Sequence, residues 1–574
     1  MKLISKSVLA LALTAVWSSH AIAETKTNEQ SMDELRDTLN GVLQALVQKG
    51  LLTREQAQAI VADAQAKAEA DAKARSQAKA EQDEKEKDAV HVTYVPQIVR
   101  DEISKQVAKD VTPAVTSKVI DAAKKDRWGV PGALPEWVNN FKFSGDIRFR
   151  MQNDHFSKDN QPNTYLNYIN VNSAGGITKA GVNAYLNTTE DRLRERLRLR
   201  VGIEAKITDG VTAGIRLATG SLTDPVSTNQ TLGQNGNRYQ FAVDQAFIRY
   251  DAKSRSKLPW MTATLGRMAN PFISTDLVWD PDLQFEGIAT TWRYGLGGAT
   301  VPSHLFLTAG AFPLQEVELS PRDKWLYGAQ LGLNLPWDNG GKVVVSGAYY
   351  SFSHITGKRN AAGSTLLNYT APQFFQKGNT TFDILNDTDA NTNLFALAAD
   401  YREVDVNAMV DIPAFNHLFS ITADYVSNLG YNQQRVLAQA GFDSLDQVTD
   451  PNQKLAFDKM TNGYQVEMAF GSPRTGKRGN WRAALNYKYL ERDAVVDAFT
   501  DSDFHLGGTG AKGYTIKADW WFLDRSWFTL RYISSDEIKH YGPQYLDAQK
   551  NPTIPSDTPR FGVDVFMFDI NGQF

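Results

Sequence analysis

The sequence contains no cysteine and, after its first two dozen residues, no long uncharged apolar run. The absence of cysteine excludes disulfide bonds and thiolate-bound metal sites. The absence of a second apolar run of about 20 residues excludes a transmembrane helix in the rest of the chain. A mean hydropathy of −0.38 and 22% charged residues are typical of a soluble protein. A transmembrane β-barrel gives similar values, because its strands alternate apolar and polar residues.

Excess charge and catalytic motifs are also lacking. With 61 Lys and Arg against 65 Asp and Glu, the net charge of −4 predicts no nucleic-acid partner. The eight histidines are scattered, and none belongs to an HExxH pattern or a local nucleophile motif. Asp280 and Asp282 are spaced as in a calcium loop, but the other ligand positions of such a loop are missing. We therefore predict no enzymatic activity, no metal site and no cofactor.

The N-terminus has the pattern of an export signal. Lys2 and Lys6 precede an apolar stretch over residues 8–17, which leads to the small-x-small sequence at residues 21–23. The alternative, a retained membrane anchor, needs about 20 apolar residues, and this stretch is shorter. The pattern predicts that residues 1–23 are a signal peptide that is removed.

Residues 24–127 are rich in Ala, Lys, Gln, Asp and Glu, a composition that favours helix. A capping-box pattern at residues 53–56 opens one of the predicted helices. Two interpretations stay open, a coiled-coil stalk or tether and a weakly helical, partly disordered linker. Residues 128–140 follow as a linker, because two prolines and two glycines within residues 128–135 cannot continue a helix.

Residues 141–574 change to strict alternation of apolar and polar side chains. In residues 192–207 arginines alternate with leucine, valine and isoleucine over a length that exceeds the 9 to 11 residues of a tilted transmembrane strand. The fold class predicted is an all-β transmembrane antiparallel barrel. Its strands, about sixteen, are expected at residues 141–151, 191–207, 211–220, 239–250, 259–268, 285–293, 303–311, 325–335, 342–353, 393–408, 415–427, 461–470, 480–490, 511–522, 526–534 and 559–574.

The connections between these strands alternate between long polar segments, such as residues 354–392, and tight turns, such as residues 208–210. Outer-membrane barrels have long loops outside the cell and short turns in the periplasm. An even strand number with this alternation places both ends of the barrel in the periplasm. The helical segment of residues 24–127 is then expected to be periplasmic as well, and the barrel to lie in the cell outer membrane.

Aromatic residues agree with a membrane location. The chain ends on Phe574 at the end of an alternating strand, which resembles the signal read by barrel-assembly machinery; Gly572 departs from that pattern, since an aromatic residue is commoner there. Five tryptophans lie in or beside the short turns, where an interfacial girdle is expected. They are Trp260, Trp337, Trp481, Trp521 and Trp527.

The arginines of the alternating strands are the strongest chemical feature. Because lipid-facing charge is costly at the bilayer midplane, we expect them to line the lumen and to favour anions. In the alternative interpretation, an inward-folded constriction loop carrying Asp276, Asp280 and Asp282 neutralises them. The predicted pore-lining residues are Arg148, Arg150, Arg194, Arg196, Arg198, Arg200 and Arg216.

Over roughly residues 140–574 the chain resembles the putative porin family of Gram-negative bacteria. The resemblance is carried by the end of the arginine-rich strand at residues 205–210, by residues 266–272 and by residues 280–287. A helical segment ahead of the barrel is also similar to members of that family. The resemblance implies a water-filled outer-membrane channel for passive diffusion of small hydrophilic solutes or ions, and it implies no binding residue.

Two alternative functions stay open. An envelope tether would link the outer membrane to peptidoglycan through the helical segment. A substrate-selective uptake channel is the other alternative; its ligand-gated form would need a globular plug, and residues 24–140 look too helical and repetitive for one. The expected partners are outer-membrane lipids and lipopolysaccharide, the barrel-assembly machinery through Phe574, and peptidoglycan or further copies of the chain in a trimer.

Overall fold

The computed structural model describes residues 140–574, except 161, 254–257, 298–301, 319, 390, 450–453, 455–456, 474, 539–544 and 547–560. The chain divides into two compact units, residues 1–122 and 123–574, and all described residues belong to the second. The predicted signal peptide, the predicted helical segment and all but the last residue of the predicted linker lie outside the described residues.

Sixteen long antiparallel strands form a closed barrel, and each pairs with its neighbours in the sequence. The two-residue strand Gln230–Thr231 adds to the edge of the second one. All sixteen predicted strands are confirmed. They are β1 Phe141–Phe156, β2 Arg192–Thr208, β3 Val211–Ala218, β4 Ala242–Ala252, β5 Met261–Ala269, β6 Gln284–Gly297, β7 Ser303–Gln315, β8 Lys324–Pro336, β9 Lys342–Ser353, β10 Arg402–Ala414, β11 His417–Asn428, β12 Asn462–Gly471, β13 Trp481–Leu490, β14 Ala511–Leu523, β15 Ser526–Glu537 and β16 Gly562–Gln573.

The last strand closes the barrel against the first. Ile147 of β1 is paired with Gly572 of β16, and the backbone of Phe574 exchanges two hydrogen bonds with Gly145, at 3.0 and 3.1 Å. Apolar side chains such as Ile147 and Phe566 are exposed on the outer face. Polar side chains on the same strands, such as Arg150, are buried on the inner face. Period-two alternation in the sequence therefore separates an apolar exterior from a polar interior.

One predicted strand begins later than expected. Residues 393–401 do not belong to β10, which begins at Arg402. Residues 395–399 are all buried and apolar rather than alternating, so both faces of this segment pack inside the protein. Phe395–Leu397 pairs with Thr381–Asp383, which also pairs with Tyr545–Leu546, in a small separate sheet.

The long connections gather at one end of the barrel and the short turns at the other. We call these the loop end and the turn end. Turns such as residues 209–210 and 415–416 join strands directly, as predicted, whereas the loop after β1 spans residues 157–191. No helix among the described residues is long and apolar enough to span a membrane. The loop helices are α1 Tyr168–Ala174, α2 Ile177–Ala180 and α3 Gln433–Ala440, with 3₁₀ turns at Gly181–Ala184, Asn368–Thr370, Leu445–Gln447, Asp497–Phe499 and Phe504–Leu506.

Part of the barrel interior is filled by an apolar core. The loop after β5, residues 270–283, folds inward and places Trp279 edge-on against Tyr350 of β9 and Phe285 of β6, with ring centroids 5.1 Å apart in both pairs. The loop is tied to β8, because the Gln330 amide bonds both the N–H (2.8 Å) and the carbonyl (2.7 Å) of Ile273. Packing therefore fills the lumen around Trp279, and a cavity of about 530 Å³ remains beside Glu286 of β6, Gln315 of β7 and Lys324 of β8.

The tryptophan girdle is only partly as predicted. Trp260, Trp337 and Trp481 are exposed near the turn end. Trp521 is wrong for such a girdle, because it is buried on the inner face and stacks on Trp527 at 5.6 Å. The alternation of β14 gives the outward position to its neighbour Trp520, which is 53% exposed.

Candidate functional site

The first two strands bring arginines face to face across the inner wall. In the β1–β2 register Arg148 is opposite Arg198, and Arg150 is opposite Arg196. Like charges directly opposite each other destabilise a sheet unless other groups compensate them. The compensating carboxylates come from β1, β4 and β16 and from two inward-folded loops, residues 270–283 and 491–510.

Near the turn end, two arginines share two carboxylates. Arg198 and Arg200 contact Asp146 of β1 at 2.9 and 2.8 Å, and they contact Asp282 of the inward loop at 3.7 and 3.3 Å. Burial raises the pKa of Asp282, but the two guanidinium groups outweigh it and hold that pKa below its usual value. This end of the inward loop is therefore held by charge.

Further along the wall, Arg150 is fully buried and clamps two carboxylates. It donates to Asp569 of β16 at 2.7 Å and to Asp503 of the loop 491–510 at 2.9 Å. Arg531 of β15 also contacts Asp503 at 2.9 Å. Burial alone would raise the pKa of Asp503, but Arg150 and Arg531 hold it far below the usual value of a carboxyl. The loop 491–510 is thus anchored to the arginine wall.

Two more of the predicted arginines have carboxylate partners: Arg194 contacts Asp154 and Arg216 contacts Asp244, both at 2.6 Å. The remaining two, Arg148 and Arg196, have only neutral partners among the described residues. Arg148 donates to Asn229 at 2.5 Å. Arg196 donates to Gln152 at 3.2 Å and to Ser227 at 3.4 Å.

The three predicted loop carboxylates have different surroundings. Asp282 alone contacts the arginines. Asp276 pairs with Lys488 of β13 at 3.2 Å, and Lys488 also contacts Asp501 at 3.0 Å. Asp280 accepts backbone N–H groups of Asp282 (2.7 Å) and Ser502 (2.9 Å), and burial, with help from Asp501 and Asp282, raises its pKa well above its usual value.

Two cavities lie in series along the arginine wall. The loop-end chamber, of about 270 Å³, is bordered by Arg194, Arg196 and residues from five loops. The turn-end chamber, of about 250 Å³, is bordered by Arg148, Arg198 and the tip of the inward loop. Ser502 lines both, so the loop 491–510 separates them. Each chamber contains one of the two arginines that have only neutral partners.

Sequence reasoning named one carboxylate that compensates the arginines, Asp282, and missed the others. Asp146 and Asp154 alternate with Arg148 and Arg150 on the polar face of β1, so strand periodicity could have identified them. Asp503 has no such signal, because only the folding of a long loop brings it to the wall. Arg216 lies on the inner face as predicted, but it lines neither chamber.

Solved structures with similar barrels include proteins from three different bacteria. Pseudomonas putida OprB in its high-pH structure is 11% identical, with a TM-score of 0.40 over 76% of this chain and 96% of that chain. Vibrio cholerae OmpT in its trimer form is 10% identical, with a TM-score of 0.37 over 76% and 99%. A triple mutant of Rhodopseudomonas blastica porin is 13% identical, with a TM-score of 0.32 over 76% and 100%. A search of curated proteins finds no match.

The model of the family described as "Putative porin" matches residues 36–574. The match is longer than the expected resemblance over residues 140–574, because it includes most of the segment ahead of the barrel. The closed antiparallel barrel with its apolar exterior agrees with that family. The chain therefore belongs to the Putative porin family of outer-membrane β-barrel proteins.

Proposed function

We propose that the chain forms a water-filled channel for passive diffusion of small hydrophilic solutes, and that the path follows the arginine wall rather than the barrel axis. On the side of β6 to β9, the aromatic core around Trp279 fills part of the lumen. A cavity of about 530 Å³ beside β6 to β8 adjoins the two chambers, because it shares Ser227 with one and Asp282 with the other. The two chambers lie beside β1 and β2, and charged and amide side chains line both of them, together with apolar side chains in the loop-end chamber. Polar, wetted walls are what a diffusion path for hydrophilic solutes requires.

We further propose a weak preference for anions that is set in the loop-end chamber. Its charged lining is Arg192, Arg194, Arg196 and Lys377 against Asp154 and Asp224. The turn-end chamber has more carboxyls than cations in its lining, but Asp276 and Asp501 pair with Lys488, and Asp280 favours its neutral form. The observation that carries the proposal is that Arg196 has only neutral partners among the described residues.

The test is the reversal potential of single channels in a KCl gradient across a planar bilayer. The wild-type protein should favour chloride, and Arg196→Gln should shift the reversal potential toward that of potassium while keeping the wall polar. Arg293→Gln is the matched control, because Arg293 is on the inner face, donates to the Thr262 hydroxyl at 2.9 Å and lines neither chamber. A cation-selective wild type, or equal shifts in both variants, would contradict the proposal.

We also propose that the turn end faces the periplasm, because short turns do so in outer-membrane barrels. The chain has no cysteine, so single cysteines can report orientation. Leu366 in a long loop is 82% exposed and Phe415 in a short turn is 91% exposed. An impermeant maleimide should label Leu366→Cys in intact cells and Phe415→Cys only after the outer membrane is opened. The reverse pattern would invert the orientation.

The segment of residues 24–127 is proposed to be a periplasmic part that the barrel does not need. Supporting this, β1 and β16 close the barrel using residues 141–574 alone. A chain in which residues 1–23 are joined directly to residue 128 should still assemble, with heat-modifiable gel mobility and wild-type conductance. Failure of assembly would show that the two parts depend on each other, and a loosened envelope with normal conductance would favour the tether.

A further inference from the structure

We propose that the loop-end chamber is a binding site for small organic carboxylates that carry an apolar ring. The site would select solutes for the proposed diffusion channel, and its role in uptake rests on that proposed function. The chamber differs from a plain polar constriction, because its lining combines cationic side chains with apolar ones. Such mixed linings are typical of small-molecule sites, in which a few polar groups orient a ligand held mainly by apolar contact.

The cationic wall has a free recognition group. Arg192, Arg194 and Arg196 lie on the same face of β2, with about 7 Å between successive arginines along the strand. Arg194 is occupied by Asp154. Arg196 is held only by neutral oxygens, and its buried Nε has no hydrogen-bond partner among the described residues. A guanidinium group binds a carboxylate through two parallel hydrogen bonds, so Arg196 is suited to an incoming anion.

Part of the chamber wall is apolar. Strand β1 and four loops contribute Phe156, Leu186, Phe374, Leu506 and Phe561 to the lining. Phe156 and Phe561 stack with ring centroids 6.1 Å apart. Contact of water with such an apolar surface is unfavourable, so an aromatic or aliphatic group of the solute would be buried against it. A fully hydrophilic ion such as chloride or acetate would leave this wall unused.

The remaining charges in the chamber favour an anion over a cation. The Asp154 carboxylate is shared by Arg194 and Gln152, and burial raises the pKa of Asp224. Lys377 donates to the carbonyls of His505 and Gly507, and burial lowers its pKa to about 7. The Asp224 carboxylate also accepts the backbone N–H of Val226 at 3.1 Å. Each of the two acids therefore has a partner within the protein, so a cationic ligand finds no free carboxylate.

The size of the chamber limits the ligand. A cavity of about 270 Å³ lies just below the roughly 300–1,000 Å³ of sites for drug-sized molecules. Benzoate represents the chemistry well, because it has one carboxylate for Arg196 and one ring for the apolar wall. Three compounds serve as controls. Acetate lacks the ring, benzyl alcohol lacks the charge, and benzylammonium carries a positive charge in place of the carboxylate.

The experiment is calorimetric titration of the full, detergent-solubilised protein with these four compounds. Benzoate should bind more tightly than the other three. Arg196→Gln should weaken benzoate binding by about tenfold, as expected for the loss of a charge-assisted pair, whereas Arg293→Gln should leave it unchanged. Phe374→Ala should weaken benzoate but not acetate, and it keeps the test available if the arginine variant does not fold. Heat-modifiable gel mobility checks the folding of every variant.

Equal binding of benzoate and benzyl alcohol, or an unchanged benzoate affinity in both Arg196→Gln and Phe374→Ala, would overturn the proposal. The assay needs no ion current, so it separates this inference from the proposed function. A protein that conducts with anion preference but does not bind benzoate would overturn the site alone. A protein that binds benzoate but does not conduct would overturn the channel and leave the site.

Discussion

The two sides of the barrel interior are built from the same kind of strand and end in opposite environments. On the side of β1 and β2, Arg150 and its neighbours hold loops by charge pairs, and two chambers lie beside them. On the side of β6 to β9, Trp279 and Tyr350 belong to an apolar core that fills part of the lumen. Alternation makes both strand groups span a membrane, but only the inward residues decide where water and solutes can pass.

The loop 270–283 belongs to both environments. Its apolar middle, Leu277 to Trp279, is buried in the core, while Asp282 near its end contacts Arg198 and Arg200. A second contact, from Thr275 to Asp424 of β11 at 2.5 Å, ties its beginning to the far wall. The loop therefore crosses the lumen, and each of its two attachments can be weakened separately.

The largest effect is expected from Trp279→Ala. The substitution removes the ring that packs against Phe285 and Tyr350, at a cost of about 3–5 kcal/mol for a large buried aromatic side chain. Loosening of the packed side should raise single-channel conductance and current noise. Trp292→Ala is the control, because Trp292 lies on the outer face and is 38% exposed. Unchanged conductance with a folded Trp279→Ala barrel would mean that the packed side does not limit the pore.

A smaller effect is expected from Arg150→Gln on the charged side. The change leaves Asp503 and Asp569 without their shared guanidinium group, and breaking a buried pair costs up to about 3–5 kcal/mol. Arg531 still contacts Asp503, so the loss should be below that limit. The loop 491–510 should become accessible to protease, and the folded gel band should disappear at a lower temperature.

Adding Asp503→Asn to Arg150→Gln supplies the matched test of that pair. If the penalty comes from an unpaired buried carboxylate, the double variant should recover part of the lost stability. If the two substitutions instead lower the stability additively, the loop is held by contacts other than this charge pair. The contrast between a charged side and a packed side of the barrel would then be weaker.

Local sequence patterns predict the fold well, because the alternation of a strand depends only on neighbouring residues. The inner face of β2 with Arg194 to Arg200 follows directly from period two, and so do the sixteen strands. The start of β10 does not follow, because residues 393–401 are buried by loops rather than by a strand face. The partners of the arginines divide in the same way: Asp154 lies on the alternating face, whereas Asp503 depends on long-range folding.

The smallest expected effect concerns Asp280, which follows Trp279 and therefore lies where the packed and charged sides meet. The backbone N–H of Asp280 donates to the Phe499 carbonyl at 2.8 Å, so the backbone of the loop 270–283 is held at this residue. Burial raises its pKa well above the ordinary value. A carboxyl whose pKa is raised on folding contributes stability below its unfolded pKa, and that contribution is lost as the pH rises through the folded pKa.

Asp280→Asn cannot ionise, but it replaces one of the two oxygens that accept backbone N–H groups by an NH2 group. It should therefore be less stable than the wild type at pH 4, and the difference should shrink or reverse at pH 8. Asp282→Asn should behave differently, because the pKa of Asp282 is lowered by Arg198 and Arg200. This variant should be less stable than the wild type at pH 8 and at pH 4, and the difference should shrink only as the pH falls below the ordinary carboxyl pKa of 3.8. The temperature at which the folded gel band disappears, followed from pH 8 to below that value, measures both changes. Parallel behaviour of the two variants would show that adjacent carboxyls experience one common environment, and the boundary between the packed and the charged side would then not lie at this loop.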